Sequence, residues 1–171
     1  MFELRIIIGY EIVNSLDENL KTELSLADVC KICHNLCCKI GGVGCTRQEL
    51  DLILQSGYEN YFTKLSPDLY HTIVTEDKSC PYLKDAECSI YEVRPLGCRL
   101  FPIAEVPRQG ISLVHCPLTE FLTESSIQDS MKLILSRPRW IAELSLQFLE
   151  SNHVKPEIKL GSFKIEMRYR F

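Results

Sequence analysis

The 171-residue chain is predicted to adopt an α+β fold, with a small cysteine-rich core of short strands and a hairpin, C-terminal helices and a final strand. Two kinds of apolar spacing predict this class. Strict alternation is typical of half-buried strands, whereas apolar residues three or four positions apart are typical of helices, and both occur here. The third observation is a set of nine cysteines, far more than a core of Leu, Ile and Phe requires. We expect a single domain over residues 1–171.

The predicted N-terminal elements are a strand and a helix. Residues 2–8 alternate between apolar and charged side chains at their start, and residues 11–26 carry apolar side chains closer to helical spacing. A clearer helix follows Cys45, because Thr46 and Glu49 have the spacing of a capping box, which satisfies the unpaired amides of a helix start. The apolar face and the stop of this helix are predicted at Leu50, Ile53, Leu54 and Gly57.

Strands are predicted in the middle of the chain. Residues 69–75 have the composition of a strand. Residues 101–106 and 111–115 are predicted to pair as a hairpin around a Pro-Arg-Gln-Gly turn at 107–110. Proline presets the backbone for such a turn, and glycine adopts the left-handed conformation that closes it.

Two helices and a strand are predicted to complete the chain. The first helix ends at Arg137, and Pro138 is suited to the first turn of the second. The final segment alternates apolar and charged residues over 163–171, with residues 2–8 as a candidate partner strand. The apolar faces of the helices carry Ile127, Met131 and Ile134 in the first and Ile141, Leu144 and Phe148 in the second.

Composition argues against several classes of partner. A net charge of −4 and a pI near 5.6 argue against a nucleic-acid-binding face. The longest aliphatic run, Ile6 to Ile8, is far shorter than the ~20 residues of a membrane-spanning helix. The first residues also lack the basic start of a signal peptide. We therefore expect a cytoplasmic protein, in which thiols stay reduced and clustered cysteines indicate metal or redox chemistry.

Eight of the nine cysteines fall into two groups, which we interpret as metal ligands. The first group contains a C-x2-C pair, the spacing at which a tight turn aims two thiolates at one metal. Four sulfurs complete a tetrahedral Zn²⁺ site or the ligand set of an iron–sulfur cluster, so eight indicate two centres or one larger assembly. Disulfides and buried apolar thiols are the alternatives. The predicted ligands are Cys30, Cys33, Cys37 and Cys38 in the first group and Cys80, Cys88, Cys98 and Cys116 in the second.

The adjacent residues Cys37 and Cys38 sharpen this prediction. Neighbouring side chains diverge by about 100° in a helix and point to opposite faces in a strand. Both sulfurs could reach one ion only through a strained backbone. We therefore expect them to bind different metals, or different irons of one cluster, with the two cysteine groups interleaved. A single metal ion per chain would contradict this hypothesis.

Other residues near these groups have predicted roles of their own. Cys45 fits neither group and is interpreted as a spare buried thiol. Arg94 and Arg99 bracket Cys98 and are predicted to offset thiolate charge or donate to sulfur. The Gly-Gly-Val-Gly run at 41–44 is predicted to let the backbone wrap closely around a metal site. A supporting or exposed role is favoured over ligation for the histidines that adjoin ligand cysteines, His34 and His115.

The second cysteine group carries more than spacing. It has C-P-Y-L from Cys80 and C-S-I-Y-E-V-R-P-L-G-C-R-L-F-P from Cys88 to Pro102. This stretch resembles the CxxCxxCC (YkgJ-like) family of cysteine-cluster proteins, regarded as zinc- or iron-chelating. The resemblance implies a metal-binding core over residues 30–116 and leaves residues 117–171 as a helical and strand extension. One departure from the family pattern is that three residues separate Cys33 from the vicinal pair, whereas the family name implies two.

Several functions remain open. The favoured one is an iron–sulfur protein with a redox or cluster-dependent role. The alternatives are a zinc-stabilised interaction module, a metal store, and a subunit of an enzyme like the flagellin lysine N-methylases, which share a related cysteine pattern. An autonomous enzyme is disfavoured, because radical S-adenosylmethionine and nucleotide-loop motifs are absent. Metal ions are the expected partners, together with a protein that the sequence does not identify.

The choice between zinc and iron depends on small signals. An all-cysteine ligand set favours structural zinc or an iron–sulfur centre over catalytic zinc, which keeps an open position. Iron–sulfur is slightly favoured, because Cys80 and Cys116 each precede a proline, as does the last cysteine of bacterial ferredoxin runs. The lysine N-methylases, which are understood to carry such a cluster, point the same way.

Overall fold

A computed structural model describes residues 25–32, 34–39, 41–106, 110–114, 116–154 and 160–164, and its helices and antiparallel strands confirm the α+β prediction. The helices are α1 (Leu26–Ile32), α2 (Arg47–Gln55), α3 (Leu96–Leu100), α4 (Glu124–Ser136) and α5 (Trp140–Ser151). The strands are β1 (Gly44–Thr46), β2 (Phe62–Ser66), β3 (Leu69–Thr72), β4 (Leu83–Lys84), β5 (Glu87–Cys88), β6 (Ile103–Val106), β7 (Gly110–Val114) and β8 (Leu160–Lys164). Short 3-10 helices span Leu36–Lys39, Tyr91–Val93 and Pro117–Phe121. No helix in these ranges is long and apolar enough to cross a bilayer.

Helix α2 begins where the capping box predicts. The Thr46 side chain accepts a hydrogen bond from the Glu49 amide at 3.4 Å, and the Glu49 carboxylate accepts one from the Thr46 amide at 2.7 Å. Leu50 and Ile53 are buried, as predicted. Leu54, predicted to share their face, is 37% exposed, because it lies at the edge of the buried stripe.

The first sheet has the order β1-β3-β2, and its central strand β3 is buried over its whole length. The strand predicted over 69–75 ends at Thr72, because its neighbours end there: Gly44 pairs with His71, and Phe62 pairs with Thr72. Helix α2 packs on this sheet over an apolar core. The buried members of that core are Cys45, Leu50, Ile53, Phe62, Tyr70, Tyr82 and Ile90.

The predicted hairpin is present as β6 and β7, which pair antiparallel from Ile103 with Leu113 to Val106 with Gly110. Strand β8 adds to the other edge of β7 and begins at Leu160, three residues before the predicted start. Several predicted segments lie outside the described residues: the strand over 2–8, residues 11–24 of the first helix, turn residues 107–109 and residues 165–171 of the final strand.

A second hairpin, β4-β5, ends at Cys88 of the second group and was not predicted. Its turn residues Asp85 and Ala86 have φ of 49° and 61°. Positive φ at both central residues is the geometry of a type I′ turn, which normally uses Asn and Gly. The hairpin brings the chain after Cys80 back alongside Cys88.

The two C-terminal helices form as predicted, and α5 packs against the glycine run at 41–44. A Cβ at Gly44 would lie 2.4 Å from the Ser145 hydroxyl, and one at Gly42, where φ is 89°, would lie 1.8 Å from the Thr72 hydroxyl. The glycines were predicted to wrap a metal site. Gly42 does line the cavity that the cysteines surround, but the contacts that require glycine are made with α5 and β3, which approach the backbone too closely for a side chain.

Candidate metal centre

The cysteines of both groups converge on one side of the fold. Cys30 lies on α1, the vicinal pair on the 3-10 helix at Leu36–Lys39, and Cys98 on α3. A cavity of about 280 Å³ opens between these elements and the β4-β5 hairpin. Six cysteines line it: Cys30, Cys37, Cys38, Cys80, Cys88 and Cys98. Cys116 is buried nearby, packed with Val29 and Leu118.

Backbone amides around the second group favour the thiolate form of its cysteines. The amides of Tyr82 and Leu83 lower the pKa of Cys80, and the Ile90 amide lowers the pKa of Cys88; the Leu83 amide also donates to the Cys80 carbonyl at 2.9 Å. Burial raises the pKa of Cys80 to about 12, and these N–H groups act in the opposite sense, as donors that favour the thiolate. Amides aimed at sulfur are the outer contacts expected around a bound metal thiolate.

The vicinal cysteines interact with different sets of thiols. The charge of Cys38 raises the pKa of Cys80, Cys88 and Cys98, which places it among the second group. Beyond Cys38 itself, the charges that raise the pKa of Cys37 are those of Cys116 and Cys30. The two adjacent cysteines thus interact with two different sets of thiols. Cys116, which is closer in sequence to Cys80, Cys88 and Cys98, interacts with Cys37 of the first group.

A hydrogen bond links the two vicinal thiols. It raises the pKa of Cys37 well above its usual range and lowers the pKa of Cys38, so Cys37 donates and Cys38 accepts. The positive charges of Arg94 and Lys39 lower the pKa of Cys38 further. Because burial raises the pKa of Cys98 and Cys88, Cys38 is the thiol of its set that ionises first.

The donor set fits a soft metal or an iron–sulfur cluster. Within the described residues, no three Cys, His, Asp or Glu side chains stand close enough together to hold one metal ion, so their charge effects on one another, rather than direct sulfur contact, define the sets. Several thiolates confined to a buried site repel each other, and this repulsion raises their pKa values. A bound cation reverses that effect and deprotonates the thiols.

Among the described residues, two hydrogen bonds and one ion pair join residues 26–39, the first cysteine segment, to residues 80–88 of the second. The Cys80 amide donates to the Cys38 carbonyl at 2.6 Å. The buried Asn35 side chain donates to the Ala86 carbonyl at 2.6 Å, and Lys31 forms an ion pair with Glu87 at 2.7 Å. The linking role of Asn35 was not predicted from the sequence. Its φ of 53° is one that asparagine tolerates better than most residues, which is a signal for a tight turn between cysteines.

The predicted arginines differ in their surroundings. Arg94 is half-buried, and its charge lowers the pKa of Cys38, Cys88 and Cys98. Arg99 lines the same cavity but is exposed to solvent. Solvent screens an exposed charge, so the charge-offsetting role predicted for both residues is better supported for Arg94.

The remaining candidates lie away from the cavity or outside the described residues. Cys45 is completely buried in the apolar core beside α2, and burial raises its pKa to about 12, which agrees with a spare buried thiol. His34 is exposed. Cys33 and His115 lie outside the described residues.

Comparison with known proteins identifies the family. Residues 29–117, more than half of the chain, match the family model CxxCxxCC, described as a "putative zinc- or iron-chelating domain". No curated protein and no solved structure matches the chain. The matched residues contain both cysteine sets and the cavity between them. The chain belongs to the CxxCxxCC family, and the cysteines gathered over residues 29–117 make it a metal-binding protein of this zinc- or iron-chelating class.

Proposed function

We propose that this protein carries two neighbouring all-cysteine iron–sulfur centres and serves a redox or cluster-dependent role. One observation carries the proposal. Cys116 and Cys30 act on Cys37, whereas the adjacent Cys38 acts on Cys80, Cys88 and Cys98, so the seven candidate ligands that the structure describes divide into a set of three and a set of four. A reducing compartment such as the cytoplasm would keep these thiols available for metal.

The two ligand sets follow from the charge interactions and the sequence. Cys33 joins the first set on its C-x2-C spacing alone, since it lies outside the described residues. Each set of four is what a cluster with full cysteine ligation requires. The proposed first set is Cys30, Cys33, Cys37 and Cys116, and the second is Cys38, Cys80, Cys88 and Cys98.

The cavity supports a cluster over a single zinc ion in each set. A tetrahedral zinc site holds its four thiolates about 2.3 Å from the metal and leaves no space between them. An iron–sulfur cluster would occupy the space between its four thiolates with several irons and inorganic sulfide. The cavity of about 280 Å³ beside six cysteines offers such space. When bound, the cluster would supply one-electron redox chemistry.

A zinc-stabilised interaction module is the second candidate. Its supporting observation is that three large apolar side chains on the C-terminal helices, Leu133, Leu135 and Trp140, are each more than two-fifths exposed. In this alternative the metal contributes folding energy, and the helices outside the matched family region meet a protein partner. The alternative predicts colourless protein.

Metal analysis of protein purified without oxygen tests both candidates. We expect iron and acid-labile sulfide in equal amounts, with broad absorbance near ~400 nm. Cys88→Ser and Cys116→Ser should each remove about half of the iron, because each removes a ligand of one set only. Cys45→Ala, which changes a buried thiol outside both sets, should keep all of it.

Two results would contradict the proposal. Two zinc ions per chain without sulfide would support the interaction module instead. Loss of all iron in both single serine variants, with full retention in Cys45→Ala, would show that the eight thiolates hold one assembly and not two centres.

A further inference from the structure

The side chain of Arg94 is held in place by Tyr91, three residues earlier in the sequence. Its guanidinium lies 3.6 Å from the centroid of the Tyr91 ring, and its Nη1 donates to the Tyr91 carbonyl at 2.6 Å. A planar guanidinium suits both contacts at once, stacking on the ring and donating in plane. The charge is therefore fixed in position before any metal binds.

The chain on either side directs this charge towards one ligand set. Arg94 ends the 3-10 helix at Tyr91–Val93 and precedes a proline, which keeps its backbone extended at ψ of 148°. The Cys98 amide then donates to the Pro95 carbonyl at 2.9 Å, and the Leu96 amide donates to the Glu49 carboxylate at 2.6 Å. Arg94 thus stands on a braced segment between Cys88 and Cys98.

The influence of this charge falls on the second set. Arg94 lies on the segment between Cys88 and Cys98, and in the cavity, which Cys30 and Cys37 also line, its charge acts on Cys38, Cys88 and Cys98. The groups that act on Cys37 are other cysteines: Cys38, Cys116 and Cys30. A fixed positive charge beside one of two centres makes the two electrostatically unequal.

We propose that Arg94 gives the centre of Cys38, Cys80, Cys88 and Cys98 a more positive reduction potential than it would otherwise have, while leaving the other centre nearly unaffected. This inference rests on the proposed iron–sulfur function. Reduction of a cluster adds one electron and so one negative charge, and a neighbouring cation stabilises that reduced state. Net charge and contacts around the cysteines are among the features that set cluster potentials.

A matched pair of arginine variants tests this role. We expect Arg94→Gln to shift the midpoint potential of one centre to a more negative value and to leave the other unchanged, in a dithionite titration followed by electron paramagnetic resonance. Arg94→Lys should restore most of the shift, because it keeps the charge. Arg99→Gln removes an exposed arginine of the same cavity and should move neither potential.

Variants with one centre identify which potential moves. Cys116→Ser keeps only the second set, and Arg94→Gln should shift the potential in that background. Cys88→Ser keeps only the first set, and Arg94→Gln should have no effect there. Should Arg94→Gln fail to assemble its centre, Tyr91→Leu loosens the guanidinium while keeping its charge, and a smaller negative shift of the same centre is expected.

The outcomes separate this inference from the proposed function. Iron–sulfur protein in which Arg94→Gln, or Tyr91→Leu in its place, moves neither potential or moves both equally would overturn the role of Arg94 alone. Protein that contains zinc without sulfide would overturn the iron–sulfur function and this inference with it.

Discussion

The sheet region around β3 and the cysteine segment of residues 26–39 differ in what fills their interiors. The core between the sheet and α2 contains seven buried residues, among them the rings of Phe62, Tyr70 and Tyr82. The core under the cysteine segment contains three, Val29, Cys116 and Leu118, and one of these is a proposed ligand. The first region can be stabilised by burial of apolar surface, whereas the second needs metal to complete it.

The contacts around each region agree with this difference. Strand β3 is paired on both edges, so its backbone groups are satisfied without metal. The cysteine segment is attached through single contacts, such as the Asn35 side chain to Ala86 and the Lys31 ion pair to Glu87. An exposed ion pair contributes little to stability, about 0–1 kcal/mol. The comparison predicts that metal loss and core mutations affect different parts of the molecule.

The largest effect is expected from Cys98→Ser, which removes a ligand of the second set. Metal binding to structural zinc sites contributes about 10–16 kcal/mol, so loss of a centre should lower the melting temperature by many degrees and abolish the iron of that set. Hydrogen exchange should become fast in α3 and the β4-β5 hairpin, which carry Cys98 and Cys88, and stay slow in β3. An unchanged melting temperature and metal content would contradict ligation by Cys98.

Ile53→Ala should destabilise the sheet region and leave the metal content unchanged, the reverse of the effect of Cys98→Ser. Ile53 is completely buried between α2 and the sheet, and truncation of such a side chain costs about 2–5 kcal/mol. Urea denaturation should show this loss, while iron and sulfide per chain stay at the level of the unchanged protein. Leu52→Ala, an exposed change on the same helix, is the matched control. Loss of metal in Ile53→Ala would mean that the two regions are not separable.

Local signals in the sequence predict the elements that depend on them. The capping box at Thr46 and Glu49 starts α2, and Gly57, with φ of 86°, follows its end as expected. The turn residues around Gly110 predict β6 and β7. The short strands β1 and β2 carry little alternation, and the β4-β5 turn uses Asp and Ala in place of Asn and Gly, so these elements left no comparable signal.

The candidate site was predictable in composition but not in arrangement. The spacing predicts that Cys37 and Cys38 diverge, and the thiols that interact electrostatically with the two differ. Which distant cysteine joins which set depends on the tertiary fold, and the sequence holds no signal that brings Cys116 to Cys37. The glycine run is a similar case. Gly44 is required by the close approach of Ser145 on α5, about a hundred residues later in the chain, and the sequence does not reveal this contact.

Asn35→Ala is expected to have a smaller effect than either substitution above. Asn35 is buried, and its side-chain amide bonds the Ala86 carbonyl, so its loss leaves an unpaired acceptor at a cost of about 1–3 kcal/mol. Hydrogen exchange in α1 should accelerate while that in β3 is unchanged. His34→Ala is the matched control, because His34 also has positive φ but is exposed. Equal effects of the two variants would assign the loss to backbone strain.

The smallest effect is a pH dependence located in the sheet region. His71 lies in β3, its ring packs 4.8 Å from that of Phe148, and its Nδ1 lies 2.9 Å from the Thr72 carbonyl. Burial lowers the pKa of His71, so the folded protein resists protonation of this ring. The unfolded chain takes up that proton near pH ~6.5.

The sign of this effect follows from the difference in bound protons. Between the lowered folded pKa and the unfolded pKa, the unfolded state binds more protons, so stability falls as the pH decreases below about 6.5. Urea midpoints measured from pH 7.5 to 5.5 should therefore fall more steeply for the natural protein than for His71→Gln, which cannot titrate there. Protonation of the metal thiolates is common to both proteins, so the difference between the two slopes isolates His71. Parallel slopes would mean that acid destabilises this fold through groups other than His71, and that protonation of this buried ring contributes nothing measurable over this range.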